Sequence, residues 1–205
     1  MSFKLHCQVT SIKSLYLKAS DESSIPSLAM NSCLQLSMLD IKGRMQKLSR
    51  IVEFSSNLTQ LTLEASRLDR DPMFVLEKQP NLLILRLRTN SYLGKKMQVS
   101  TNGFPRLKVL QLSKLEGLLK LNIGQGTIPW LMQLQIHKRV NILGFNGLLN
   151  LLELNIMGGI YLKVTTMHLH LLIGKLPPWH ITRYLHSSIY LDLLNYQFLL
   201  LVISS

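Results

Sequence analysis

The chain has 205 residues, 47% of them hydrophobic, with 23 Lys and Arg against 11 Asp and Glu and a formal net charge of +12. That length can bury a core without disulfide help, as one domain or one short array, which excludes the disulfide-stapled miniature scaffolds. The basic balance attracts nucleic acid, anionic lipid or an acidic protein surface, and by itself it selects none of them.

The opening MSFKLHCQVT has one lysine but no apolar run of about 7–15 residues and no small-residue cleavage site, so no secretory signal is expected. Without one, the sequon Asn57-Leu58-Thr59 carries little meaning. Cys7 and Cys33 show no metal-like spacing and read as small buried hydrophobes in a reducing compartment.

From Ile12 onward a phrase L-x-x-L-x-L, with isoleucine allowed, recurs as Ile12/Leu15/Leu17, Leu36/Leu39/Ile41, Leu58/Leu61/Leu63, Leu82/Leu85/Leu87, Leu107/Leu110/Leu112, Leu131/Leu134/Ile136 and Leu151/Leu154/Ile156. The first positions step by 24, 22, 24, 25, 24 and 20 residues. That period with that signature is the leucine-rich repeat pattern. Strand side chains alternate faces, so the fourth and sixth places of each phrase point together into the body of the coil. Three buried leucines contribute about 5–9 kcal/mol in gross transfer energy, whereas ordering each residue of a coil costs roughly 1–2 kcal/mol. One coil loses that contest alone; stacked coils share a core and pair their strands. The expected fold is an α/β solenoid over residues 1–159: a curved parallel sheet of about seven strands on the concave side, loops or short helices on the convex side.

Between strands, Asp71 can cap a short helix with Pro72 at its first position, Leu76 turned inward and Pro80 closing it. GFPRL and TIPWL place a proline two residues ahead of a strand leucine, favouring an extended approach. In LEGLLKLNIGQG, residues 115–126, a second alternation through Leu119, Leu121 and Ile123 suggests a segment along the back of one repeat, with an irregular loop as the alternative.

The stretches SRLDRDPMFVLEKQPNL, SYLGKKM, GFPRLKVLQL, GQGTIPWLMQLQI and GLLNLLELNIMG, between about Ser11 and Gly159, resemble the leucine-rich-repeat region of plant nucleotide-binding disease-resistance proteins with an N-terminal coiled coil. Departures are Gln79 where that family has an apolar residue, HKRV after Ile136 where a cysteine is common, and an asparagine ladder reduced to Asn90 with Ser20 and Ser66 at equivalent places. The resemblance implies a cytoplasmic array that senses a pathogen effector or a guarded host protein and restrains the receptor's own nucleotide-binding domain. No phosphate loop G-x-x-x-x-G-K-[ST] occurs, so no nucleotide or other cofactor is expected to bind here. The runner-up is a truncated, vestigial product that keeps the repeats and no longer signals.

Residues 160–205 match nothing in that family and read as an atypical tail: a capping helix, a weak membrane-surface segment or a non-native gene end. YLDLLNYQFLLLVISS is interrupted by Asp192, Asn195 and Gln197 and is too short to span a bilayer, so no membrane span is expected. His168, His170, His180 and His186 lack acidic or cysteine companions at metal spacing.

The fifth and seventh places of each phrase should project from the concave face. In order they are Tyr16 and Lys18, Asp40 and Lys42, Thr62 and Glu64, Arg86 and Arg88, Gln111 and Ser113, Gln135 and His137, and Asn155 and Met157. This mixed strip, more basic than acidic, suits protein contacts. Acids interrupt it and stacking aromatics are missing, which disfavours nucleic acid. No nucleophile elbow, HExxH or paired-carboxylate arrangement appears, so no enzyme is expected.

Overall fold

The computed structural model describes residues 4–6, 11–19, 24–25, 27–29, 33–45, 48, 52–53, 55–137, 140–144, 148, 150–157 and 160–163, and the statements below concern these. Short strands alternate between a back and a front: β1 (Lys4–His6) back, β2 (Ser14–Lys18) front, β3 (Ser27–Ala29) back, β4 (Met38–Lys42) front, β5 (Val52–Glu53) back and β6 (Gln60–Glu64) front. One helical turn, α1 (Met73–Leu76), replaces the back strand of the next half-coil before β7 (Ile84–Arg88) returns to the front. The alternation resumes with β8 (Lys96–Val99), β9 (Val109–Ser113), β10 (Lys120–Ile123), β11 (Gln133–His137), β12 (Asn141–Leu143) and β13 (Glu153–Met157), followed by β14 (Ile160–Lys163).

The seven expected phrases form seven consecutive parallel strands of one front sheet, in the order β13-β11-β9-β7-β6-β4-β2. Leu15, Leu39, Leu61, Leu85, Leu110, Leu134 and Leu154 stand in one register row. Apart from Leu15 they are at most 2% exposed, and Leu36, Leu58, Leu82, Leu107 and Leu131, the heads of five of the seven phrases, are at most 1% exposed. The leucine-rich-repeat solenoid is therefore the fold. An eighth strand, β14, folds back antiparallel on β13, so the front sheet continues past residue 159 into Ile160–Lys163. The remainder of the tail, with its four histidines and the YLDLLNYQFLLLVISS stretch, lies outside the described residues.

The back differs from the expected loops and short helices, since most of it is strand. β1-β3-β5 and β12-β10-β8 are two parallel three-stranded sheets. KMQV and KLNI alternate polar and apolar residues, and this period-2 pattern lays Met97, Val99, Leu121 and Ile123 against the core, with Ile142 of NIL packed beside them. The alternation foreseen through Leu119 begins later than expected: Leu119 is 48% exposed, and Leu118 is buried in its place.

Where α1 stands in for a back strand, β8 becomes a sheet edge, and side chains take over its hydrogen bonds. Asp71 Oδ1 accepts the Met73 N–H at 2.9 Å, the cap expected of it, while Oδ2 accepts the Gln98 N–H at 2.7 Å. Glu77 Oε2 accepts the Ser100 N–H at 2.8 Å, and Tyr92 Oη donates to the Lys96 carbonyl at 2.6 Å. Pro72 already has helical angles and Leu76 is fully buried, as expected.

Two local expectations are corrected. Phe104 and Ile128, each just before a proline, have φ of +53° and +49° in place of the extended approach. Both side chains are completely buried, and turning them inward fixes the backbone against its local preference. Cys33 is buried as expected, but it is disulfide-bonded, which removes the cysteine argument for a reducing compartment.

Candidate functional site

Parallel register turns the projecting places into rows. One row runs Tyr16, Asp40, Thr62, Arg86, Gln111, Gln135, Asn155. A second runs Lys18, Lys42, Glu64, Arg88, Ser113, and His137 stands beside Met157 in its continuation. A third, not anticipated, holds Ser14, Met38, Gln60, Ile84, Val109, Gln133 and Glu153 and adds an apolar centre. The three-row face follows from two-residue alternation, which puts the third place of a strand on the same side as its first.

Exposure along the rows is uneven. Tyr16 is 61% exposed, whereas Thr62, between Asp40 and Arg86, is buried. Lys18 and Arg88 are exposed; Asp40, Lys42, Glu64, Arg86, Gln111, Gln135 and His137 are half-buried. Lys42 Nζ lies 2.6 Å from Glu64 Oε1, and this hydrogen bond, with the charge of Glu64 behind it, raises the Lys42 pKa above its ordinary value. Arg86 Nε donates to Gln111 Oε1 at 3.1 Å, and Gln133 Nε2 donates to Glu153 Oε2 at 2.9 Å. Lys42 is therefore engaged by its neighbour, which leaves Lys18 and Arg88 as the exposed cations of the second row. Lys18, Lys42 and Arg88 share the second row and Arg86 stands in the first, as their places in the phrase predict.

At the end of this face, where β7, β9 and β11 pass into their turns, a pocket of about 350 Å³ is lined by Thr89, Asn90, Lys114, Leu115, Glu116, Leu118 and His137. Among the described residues no group of three or more His, Cys, Asp or Glu could hold a metal ion. None of their helices is long and apolar enough to cross a membrane.

The asparagine ladder lies elsewhere than expected. Asn90 contributes through its backbone, at φ +54°, its carbonyl accepting the Arg67 N–H. The asparagine side chains that tie coils together come one residue before the head leucine. Asn57 donates to the Leu34 carbonyl at 2.7 Å, Asn81 to Ser56 at 2.9 Å and Asn150 to Pro129 at 2.7 Å. The recurring dipeptide Asn-Leu at 57, 81 and 150 was the available signal.

No family model matches the chain. No solved structure matches it either. Its curated relatives include the probable disease resistance protein RF45 of Arabidopsis thaliana, 42% identical over 103 residues, which are 50% of this chain and 10% of that protein. Disease resistance protein RPP8 of the same plant is 33% identical over 129 residues, 61% of this chain and 14% of its own length. Disease susceptibility protein LOV1, also from Arabidopsis thaliana, is 28% identical over 130 residues, 62% of this chain and 14% of the relative. The chain thus spans about a tenth to a seventh of the length of these relatives. It is a leucine-rich-repeat array similar in sequence to plant disease-resistance proteins.

Proposed function

We propose that this array is a recognition and regulatory segment of a plant intracellular immune receptor, acting in the cytoplasm by protein contacts and without chemistry of its own. The similarity to disease-resistance proteins supports the setting. The observation that carries the contact role is the register that lines polar, basic and apolar side chains into continuous rows on one sheet. Long, mixed surfaces on stacked coils suit protein partners, with arginine and tyrosine as anchors. The partner is a pathogen effector, a guarded host protein or the receptor's own nucleotide-binding domain. In this reading Arg86 and Arg88, in adjacent rows on β7, meet an acidic partner surface.

The test is charge reversal in a receptor that carries this array. Arg86→Glu with Arg88→Glu is expected to relieve autoinhibition or weaken the effector response, read as cell death on transient expression in leaves. If the doubly reversed receptor behaves as wild type in both assays, the arginine docking is wrong.

A further inference from the structure

The outer side of β8 and β10 carries charge that the molecule itself does not neutralise. These strands turn Met97, Val99, Leu121 and Ile123 inward, so by alternation Lys96 and Lys120 point away from the core. Register sets the two lysines directly beside each other, with Asn141 next in the row. Lys95 is exposed at the entry to β8, and its carbonyl accepts the Leu119 and Lys120 N–H groups at 2.9 and 3.1 Å. Like charges on adjacent strands repel, and among the described residues no acid pairs with any of the three. Asp71 and Glu77, at the β8 edge, already receive backbone N–H groups. The exposed acids Asp69 and Glu116 sit on turns with Arg70 and Lys114 one and two residues away.

Apolar side chains accompany these cations. Leu119 is 48% exposed at the entry to β10. α1 lies along β8, held there by the bonds from Asp71 to Gln98 and from Glu77 to Ser100. It buries Met73 and Leu76, so Phe74, 63% exposed, and Lys78 stand on its outer side, with Lys78 Nζ 4.2 Å from the centre of the Phe74 ring. The face therefore presents Lys78, Lys95, Lys96 and Lys120 together with Phe74 and Leu119.

We propose that this outer face docks on a lipid bilayer surface carrying anionic headgroups. The argument is charge complementarity joined to exposed apolar side chains. An anionic membrane surface attracts each lysine held near it. Lysine stems keep their ammonium groups at headgroup level, while leucine and phenylalanine side chains enter the acyl boundary. Protein interfaces, by contrast, are depleted in lysine and anchored by arginine, tyrosine and tryptophan. Nucleic acid is disfavoured because Lys78 already occupies one side of the Phe74 ring, the exposed aromatic on which a base would stack. The face lies on the back of the coils, away from the front rows that hold Arg86 and Arg88.

The probe is vesicles of phosphatidylcholine with and without phosphatidylserine, sedimented with the full chain in about 0.1 M salt. The chain should partition onto the phosphatidylserine vesicles and stay in solution with phosphatidylcholine alone. Lys95→Gln, Lys96→Gln and Lys120→Gln together should weaken partition about a hundredfold, roughly fivefold for each charge removed. The matched variant Lys18→Gln, Arg86→Gln and Arg88→Gln takes the same charge from the front sheet and should bind as wild type. Leu119→Ser should lower partition about fivefold while thermal unfolding stays as in wild type. The front variant alters the arginines of the row face and leaves the back lysines, so the receptor reading and this one can fail separately. Equal losses in the two triple variants would assign binding to net charge and overturn the proposal, as would absence of partition onto phosphatidylserine vesicles. Polyglutamate binding that the back variant abolishes, with vesicle binding unchanged, would overturn it too, because the partner would then be an acidic polypeptide.

Discussion

Asp71 shows how one side chain can hold two elements. Its carboxylate receives the Met73 N–H at the start of α1 and the Gln98 N–H on the edge of β8. Asp71→Ala leaves both donors without that partner and is expected to lower stability by about 1–2 kcal/mol in urea unfolding. Burial pushes the Asp71 carboxyl above its ordinary 3.8, the two N–H groups oppose that rise, and the nearby charge of Glu77 adds to it. A carboxyl raised on folding contributes its stability in full below the unfolded pKa and loses it as pH climbs through the folded one. Stability from this group therefore falls on going upward from about pH 4, and Asp71→Asn, which does not ionise, should flatten that fall. Urea midpoints of both proteins at about pH 4 and about pH 7 check the sign; equal slopes would show that burial does not govern the group.

At the scale of elements, the turns after strands carry the conformational load. Ala65, Thr89, Asn90 and Lys114 follow β6, β7 and β9 with φ between +34° and +54°, repeating one left-handed exit from coil to coil. Gly144, after β12, has φ +79°, and a Cβ there would collide with the Ile123 carbonyl oxygen on the neighbouring strand β10. Gly144→Ala is expected to cost about 1–3 kcal/mol and to loosen β12 first. Faster hydrogen exchange at Asn141–Leu143, with that at β4 and β6 unchanged, is the expected signature; uniform loosening would show a global effect instead.

Across the whole molecule, each coil contacts chiefly its neighbours, so stability is a sum of coil and interface contributions and depends on position. Leu85 is fully buried between β6 and β9, whereas the equivalent Leu15 is half-exposed at the end of the sheet. Leu85→Ala should cost about 2–5 kcal/mol, and Leu15→Ala distinctly less, although the residues occupy the same place in the phrase. Urea denaturation of the two variants side by side tests this; equal losses would mean that something covers β2 in solution.

Much of this molecule was written in its leucines. The phrase and its period determined seven parallel front strands, their register, and the two rows at the fifth and seventh places, because burial and strand alternation are local rules that repeat along the chain. Asp71, Pro72 and Leu76 likewise announced α1 through capping chemistry. Packing between coils decided the rest: back strands in place of loops, the positive φ of Phe104 and Ile128, the side chains guarding β8 and the pairing of Lys42 with Glu64. Most of these depend on which residue of one coil lies beside which residue of the next, some 22 to 27 positions away for Lys42 with Glu64, Glu77 with Ser100 and Asp71 with Gln98, and no local rule along a single coil contains that neighbour.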